Sequence, residues 1–365
     1  MTDSMGLRVG VVGVGFGTTV HVPGFQSEGL EVVAIAARRG ERAREAAAQF
    51  NIPNATDDWR EILAMPEVDI VSIASPHPLH SEMSVAALEA GKHVLCEKPT
   101  AVNADEARVM RDAARSSTKT AMIAHEFRWA PQRAFVRQLM DQRYIGDLRF
   151  VRGNLEVGPR RAPSRPRPAP NPDLGRRGGF LWGLGSHYLD AFRHWFGDIV
   201  AVQSIMRAQM PERVDASGAP TRTESDDTFA VLIEFANGGW GSFSGSSAAP
   251  FGDGAQIEIF GTEGSLSTPQ PTPGFNPPPD GKVYGAKFGD ESRDELPMPS
   301  EFVPFDDERD HRLLAFRLMV RELVKGIGEG KSPAPNFEDA YRIQQVLDAV
   351  VESSETGRRV SIVLD

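Results

Sequence analysis

Residues 7–127 alternate short apolar runs with helical stretches, and this alternation restricts the possible folds more than any other feature of the chain. Residues 8–13 (RVGVVG), 32–37 (VVAIAA), 69–74 (DIVSIA), 93–96 and 120–125 read as strands. Residues 42–50, 81–90 and 104–115 read as helices, the second closed by Gly91. Strands that are apolar along their whole length need cover on both faces. Strand–helix–strand alternation therefore predicts a parallel sheet between two helical layers.

The pattern changes after Arg128. Residues 134–142 read as a helix, and residues 148–157, 200–210, 228–235, 239–246 and 256–260 alternate apolar with polar side chains. Period-two alternation leaves one face wet, as in an antiparallel sheet. Residues 309–325 and 337–353 are helical again. The predicted fold class is an α/β Rossmann domain over residues 1–127, followed by an α+β domain over residues 128–365 with an open-faced, mainly antiparallel sheet. Two Pro-rich stretches, 159–172 and 269–304, read as irregular surface segments.

With 365 residues and a formal net charge of −10, the chain has the length of two domains and the wrong sign for sequence-independent nucleic-acid binding. No apolar run has the ~18 residues of a membrane span, and no basic-then-apolar leader is visible at the N-terminus. The single cysteine, Cys96, excludes an internal disulfide and a cysteine metal cluster. The expectation is a cytoplasmic protein with no nucleic-acid partner, no membrane partner and no metal.

The first predicted strand runs into Gly13-Val14-Gly15-Phe16-Gly17-Thr18. A dinucleotide fingerprint has glycines in the first, third and sixth places: for the tight turn, for backbone approach to the pyrophosphate, and for helix–strand packing. Here the sixth place is Thr18 and a glycine, Gly17, precedes it. The following helix aims its N-terminal amides at the phosphates. A glycine-rich turn of some other α/β protein is the competing reading. The second strand ends Ala36-Ala37-Arg38-Arg39, without the acid that usually holds the ribose hydroxyls of NAD. A guanidinium pairs well with a 2′-phosphate, so the cofactor is read as NAD(P), leaning to NADP. A solvated turn is the alternative role for both arginines.

Two further segments carry a family likeness. They are Ser75-Pro76-His77-Pro78-Leu79-His80-Ser81-Glu82-Met83 and Ala90-Gly91-Lys92-His93-Val94-Leu95-Cys96-Glu97-Lys98-Pro99. With the glycine turn, His125-Glu126-Phe127-Arg128, Gly178-Gly179, Gly185-Ser186-His187-Tyr188-Leu189-Asp190 and Phe260-Gly261-Thr262-Glu263-Gly264-Ser265, the chain resembles the glucose–fructose oxidoreductase, inositol dehydrogenase and MocA family over nearly its whole length. The resemblance implies that Lys98 sits near the nicotinamide and the reacting alcohol or ketone, and that Glu97 helps hold the nicotinamide end. It also implies an exposed sheet face used in subunit contacts, hence a homo-dimer or homo-tetramer.

The catalytic candidates are Lys98 and His187. Those for the cofactor are Gly13, Gly15, Phe16, Gly17, Thr18, Arg38, Arg39, Ser75, Pro76, His77, His80, Glu97 and Lys98. Those for the substrate are Arg128, Trp182 and Tyr188, the last two being equally readable as core. An ammonium beside the reacting oxygen favours alkoxide character, and histidine suits proton transfer near neutral pH. Family members often carry an Asp four residues before the histidine; here that place is Gly183. His187, Asp190 and His194 share one helical face, which the resemblance assigns to structure rather than to metal. Arg160, Arg161, Arg165, Arg167, Arg176 and Arg177 form a basic arm, read either as a solvated loop or as a grip on an acidic substrate or a neighbouring subunit. The expected function is hydride transfer between nicotinamide and a sugar, cyclitol or related polyol. Two alternatives stand beside it: transient oxidation by bound NAD during hydrolysis, elimination or epimerisation, and a catalytically silent cofactor-binding regulator.

Overall fold

Five short strands near the N-terminus are almost wholly apolar, and they assemble as that composition requires. In the computed structural model, which describes residues 6–158, 167–169, 172–215, 217–270, 277–278 and 280–364, β1 (Arg8–Val12), α1 (Val22–Ser27), β2 (Glu31–Ala36) and α2 (Gly40–Phe50) come first. The short β3 (Asn54–Thr56), α3 (Trp59–Ala64), β4 (Ile70–Ile73), α4 (His80–Glu89), β5 (His93–Glu97), α5 (Ala104–Ser116) and β6 (Ala121–Ala124) follow. The strands form one parallel sheet in the order β3-β2-β1-β4-β5-β6. Two buried clusters result. One holds Val9, Val11 and Ile35, the other Val12, Ile73 and Val94. Each such side chain removed from water contributes roughly 1.5–3 kcal/mol before chain entropy is counted. Local signals agree with the global ones. The Asn103 side chain caps α5 by accepting from Glu106 N at 2.9 Å, and Glu106 reaches back to Val102 N at 3.1 Å.

The second unit begins with α6 (Pro131–Asp141), β7 (Leu148–Glu156), the two-residue β8 (Arg167–Pro168) and α7 (Ser186–Phe196). There follow β9 (Ile199–Arg207), β10 (Glu212–Val214), β11 (Pro220–Arg222), β12 (Thr228–Phe235), β13 (Trp240–Ser246), β14 (Gly254–Gly261) and β15 (Gly264–Gln270). Then come β16 (Tyr284–Lys287), β17 (Asp294–Glu295) and, near the C-terminus, β18 (Val360–Ser361). Nine strands make a mixed sheet, β17-β16-β15-β14-β7-β13-β12-β9-β18, antiparallel throughout except for the β7–β13 pair. Along β12, Phe229, Val231, Ile233 and Phe235 are buried while Ala230, Leu232 and Glu234 face solvent. Phe192 and Phe196 of α7 cover the buried face against Phe243 and Phe235. The other face is open and carries Ile205, Leu232 and Trp240, each about half exposed.

Part of the stretch expected to be irregular is ordered. Residues 269–304 supply β16 and β17 at one edge of the sheet, where short strands tolerate flanking Pro and Gly. Within the basic arm, residues 159–166 and the side chain of Arg167 lie outside the described part, so Arg160, Arg161 and Arg165 are not placed. Arg176 and Arg177 face Glu355 and Asp348 at 3.8 and 3.5 Å.

The chain is expected to divide once, near residue 127. It divides into Met1–Trp129 with Phe305–Gln344, and Ala130–Pro304 with Gln345–Asp365. The reason is α8 (Leu313–Glu329), whose Leu313, Phe316, Met319, Val320, Leu323 and Val324 belong to the same buried cluster as β1 and β2. After it, Pro335 O accepts from Ile123 N at 2.9 Å beside β6. Helix α9 (Phe337–Thr356) then opens in the first unit and ends in the second.

Phe316 is fully buried against His21 and Phe25, with ring centroids 4.5 and 5.8 Å away. Phe316→Ala is expected to cost about 3–5 kcal/mol and to lower the first thermal transition measured by calorimetry. An unchanged scan would show that α8 is not part of that core.

Candidate functional site

The glycine turn at the end of β1 divides its work among three glycines. Gly13 has φ +119°, and a Cβ there would collide with the Ala74 carbonyl. Gly15 is exposed, and a Cβ on it would meet nothing within 4 Å. The chain is thus bare where a pyrophosphate approaches in a dinucleotide site. A Cβ on Gly17 would lie 3.1 Å from Val11 Cγ1, so the close packing expected of the sixth place is done here by the fifth. Thr18 instead turns its hydroxyl back, donating to Val14 O at 2.9 Å and Gly15 O at 3.1 Å. Phe16 packs edge-on to His21 at 5.5 Å, with the Arg312 guanidinium 5.1 Å from its ring.

The sheet order reverses at β1, and beyond the carboxyl ends of β1, β2 and β4 lies a cavity of about 800 Å³. This is the topological switch point where open α/β sheets bind nucleotides. Gly13 and Gly15 line it together with Ser75, Pro76, Arg38 and Arg39. Both arginines are exposed, and no acid stands at the end of β2. Asp57, Asp58, Trp59 and Arg60 complete the wall, with Arg60 stacked 4.4 Å from the Trp59 ring.

The loop after β4 is tied to the loop after β5 by one buried side chain. His80 Nε2 lies 2.8 Å from Ser75 O and Nδ1 2.8 Å from Pro99 O. Burial lowers its pKa against the pull of those carbonyls. The ring spans two chain segments, so the Ser75–Pro76 rim of the cavity and the Lys98–Pro99 turn are held in register. His77 sits one turn earlier, partly exposed.

Glu97 ends β5 inside the protein. His21 Nε2 is 3.0 Å from its Oε1, Lys98 N donates to its Oε2 at 3.1 Å, and His21 Nδ1 is 2.7 Å from Ser72 Oγ. Burial pushes the Glu97 pKa up, but the His21 hydrogen bond and the charges of His21, Lys98 and His80 outweigh it, and the carboxyl stays below its usual range. Lys98 follows, half-buried, at the mouth of this cluster. Glu126, two residues past β6, behaves oppositely. Burial, reinforced by the Glu97 charge and opposed by Lys98 and Arg312, pushes it up to about 8. Arg128 is buried with its guanidinium 3.7 Å from Asp339.

In the second unit, Asp226 accepts from Leu181 N at 2.9 Å and its backbone carbonyl accepts from Phe180 N. These bonds fix the turn Leu181–Gly185 that leads into α7. Burial pushes the Asp226 carboxyl up to about 7. His187 is the second residue of α7 and is buried, and its carbonyl accepts from Arg133 at 3.2 Å. Trp182 and Tyr188 are enclosed in the interior. Tyr188 stacks on Phe243 and lies under Arg133. Gly183 is exposed.

The structure therefore gathers Gly13, Gly15, Arg38, Arg39, Ser75 and Pro76 around one cavity. His80, Glu97 and Lys98 form a buried polar cluster joined to its rim. His21, Ser72, Glu126 and Arg312 belong to that cluster and were not singled out from sequence. His21 has no motif of its own. The one available signal was Glu126, an acid two residues past an apolar strand end. Among the described residues, no group of three or more His, Cys, Asp or Glu is placed to hold a metal ion, and no helix is long and apolar enough to cross a membrane.

Comparison with known proteins covers most of the chain in two consecutive stretches. The family model described as "Oxidoreductase family, NAD-binding Rossmann fold" covers residues 7–125, and its companion, "Oxidoreductase family, C-terminal alpha/beta domain", covers residues 137–362. Levoglucosan dehydrogenase of Pseudarthrobacter phenanthrenivorans is 29% identical over 95% of this chain and 96% of that protein. Trans-1,2-dihydrobenzene-1,2-diol dehydrogenase of Mus musculus is 35% identical over 71% of this chain and 74% of that protein. A solved structure of levoglucosan dehydrogenase in complex with NADH and levoglucosan superposes with a TM-score of 0.84 at 28% identity, covering 98% of this chain and 99% of that one.

A side chain at Gly183 would meet open space, since a Cβ there has no neighbour within 4 Å. Gly183→Asp is expected to fold and to change stability by no more than about 1 kcal/mol, the helix-propensity difference at an exposed position. Urea denaturation followed by circular dichroism checks this; a larger loss would mean that residue 183 is packed.

Proposed function

This chain belongs to the glucose–fructose oxidoreductase, inositol dehydrogenase and MocA family and is an NAD-binding oxidoreductase; from that premise we propose that it oxidises a secondary hydroxyl of a sugar, cyclitol or related polyol. The observation that carries the proposal is the His80 bridge, which couples the rim of the nucleotide cavity to the turn bearing Lys98. Its relatives' names point to the same substrate class: an anhydrosugar for one and a cyclic diol for the other.

The residues present fit a dinucleotide. The bare backbone at Gly15 suits the pyrophosphate, and the cavity extends to Arg38 and Arg39. Bound nicotinamide supplies the hydride acceptor. Lys98 presents an ammonium to the reacting oxygen, where positive charge favours the alkoxide character that develops as the hydride leaves. Glu97, ionised and buried, anchors the turn that carries it. His187 is proposed as a second contributor on the family resemblance, with loss of turnover in His187→Ala as its check. Arg38 and Arg39 are proposed to read a 2′-phosphate, which makes NADP the preferred cofactor. We also assign the open face with Ile205, Leu232 and Trp240 to contact between copies of this chain in a homo-dimer or homo-tetramer, with light scattering as the test. Cytoplasmic residence is proposed from a single buried cysteine, Cys96, whose thiol pKa burial raises.

The direct test is a panel of levoglucosan, L-sorbose, myo-inositol, glucose and a trans-dihydrodiol, each with NAD and with NADP, followed by nicotinamide absorbance. No reduction with any member would remove the dehydrogenase reading. Lys98→Met should then lower kcat/KM by a factor on the order of 10² or more, while NADH still binds by fluorescence titration. Turnover within a few-fold of wild type would take Lys98 out of the chemistry. For the cofactor, Arg38→Asp should shift the NADP/NAD ratio of kcat/KM towards NAD by about 30-fold, the equivalent of about 2 kcal/mol for one charge-assisted contact. An unchanged ratio would place the 2′-phosphate contact elsewhere.

A further inference from the structure

The lysine ammonium can take up a substrate proton only after giving one away, so the reaction needs a group that can receive that proton. Strands β5 and β6 run parallel with Glu97 opposite Ala124. The two chains therefore leave the sheet side by side, one as Lys98, the other as His125 and Glu126. Glu126 is 3% exposed, and its Oε2 has no hydrogen-bond partner among the described residues. A buried carboxyl oxygen with no partner costs stability, and its retention calls for an explanation.

We propose that Glu126 is the proton-holding partner of Lys98, a positioning residue that acts on the substrate only through that lysine. The proposal rests on the placement of Lys98 at the reacting oxygen given above, and adds that the ammonium found there after proton transfer forms from the amine. In the oxidative direction, the Lys98 ammonium passes one proton, relayed by water, to the ionised Glu126 carboxylate and becomes an amine. The amine lone pair then takes the hydroxyl proton of the substrate as the carbinol hydride goes to the oxidised nicotinamide. Lys98 is an ammonium again, Glu126 is a neutral acid, and the acid releases its proton to water. The sum is alcohol and oxidised cofactor to carbonyl, reduced cofactor and one proton.

The surroundings set the working range. Glu97 and Lys98 face Glu126 from the end of β5, and Arg312 faces it from the head of α8, where it is paired with Asp310. His21 and His80 act on the group through Glu97, while His125 and Arg128 are its neighbours on its own turn. With burial and Glu97 raising it and two cations lowering it, the carboxyl titrates at about 8. A proton carrier works best when its pKa lies near the operating pH.

Infrared titration of the whole protein without cofactor or substrate reads this directly. The protonated-carboxyl band that vanishes in Glu126→Gln is expected to titrate near pH 8 in wild type. In Lys98→Met the midpoint should rise by roughly one pH unit, because the cation that holds it down is gone. The sign for stability follows. A raised carboxyl favours the folded state at low pH and loses that advantage as pH climbs from the ordinary carboxyl range through 8. Wild type should therefore lose thermal stability relative to Glu126→Gln across that window. With the compound turned over in the panel, Glu126→Gln should lower kcat by about 10²-fold, with KM within twofold and the rise of the pH profile through about 8 lost. Glu126→Asp should restore part of both. A band unaffected by Lys98→Met, or a Glu126→Gln enzyme with the wild-type kcat and profile, would overturn the proposal. If no panel member is turned over, the substrate reading fails by itself, and the infrared coupling still decides the case for Glu126.

Discussion

An ionised carboxylate inside a protein must be fully supplied with partners, and Glu97 is the one on which this structure turns. Left alone, burial would neutralise it. His21, the amide of Lys98 and the surrounding positive charge keep it charged instead. That requirement reaches into three segments, since Ser72 on β4 holds the far nitrogen of His21, and His21 itself rides on the helical segment that follows the glycine turn. The end of β5, the entry to the first helix and the end of β4 therefore cannot shift independently. Removing one partner of such a group costs far more than the pair returns in net stability, and the arrangement is better read as fixing position than as supplying stability.

A division of labour along the sheet edge follows. At one end the wall is cationic and exposed, with Arg38 and Arg39 free to meet an anionic ligand in water. At the other, the polar groups are buried and their charges interact strongly, so that two carboxyls that both feel the Lys98 charge sit on opposite sides of neutrality. Exposed charge and buried charge obey different dielectrics. The His80 bridge keeps the two regions in one frame.

Much of this was legible in the chain itself. Continuous apolar runs named the parallel sheet and alternation named the open one, because the period of burial is imposed by strand geometry alone. The glycine turn and Glu97-Lys98-Pro99 were visible as motifs. The return of α8 to the first unit was not, since its apolar stripe states only that the helix packs, not against what. His21 and Arg312 were equally silent, because their partners lie 76 residues away in one case and far up the chain in the other. Gly17 shows a milder failure: the packing role survived while its place in the fingerprint moved by one. The strands β16 and β17 were hidden among prolines and glycines, residues that usually mark loops but are admitted at a sheet edge.

The return of α8 also governs the order in which the protein can be made. Its apolar side chains complete the cluster beneath β1 and β2, yet they are encoded after Ala130–Pro304. At ~5–20 residues per second, the nucleotide-binding half emerges from the ribosome on the order of ten seconds or more before its last helix exists. Through that interval Val9, Val11, Phe25 and Ile35 lack part of their cover, a nascent surface that chaperones would recognise and that vectorial folding alone cannot close.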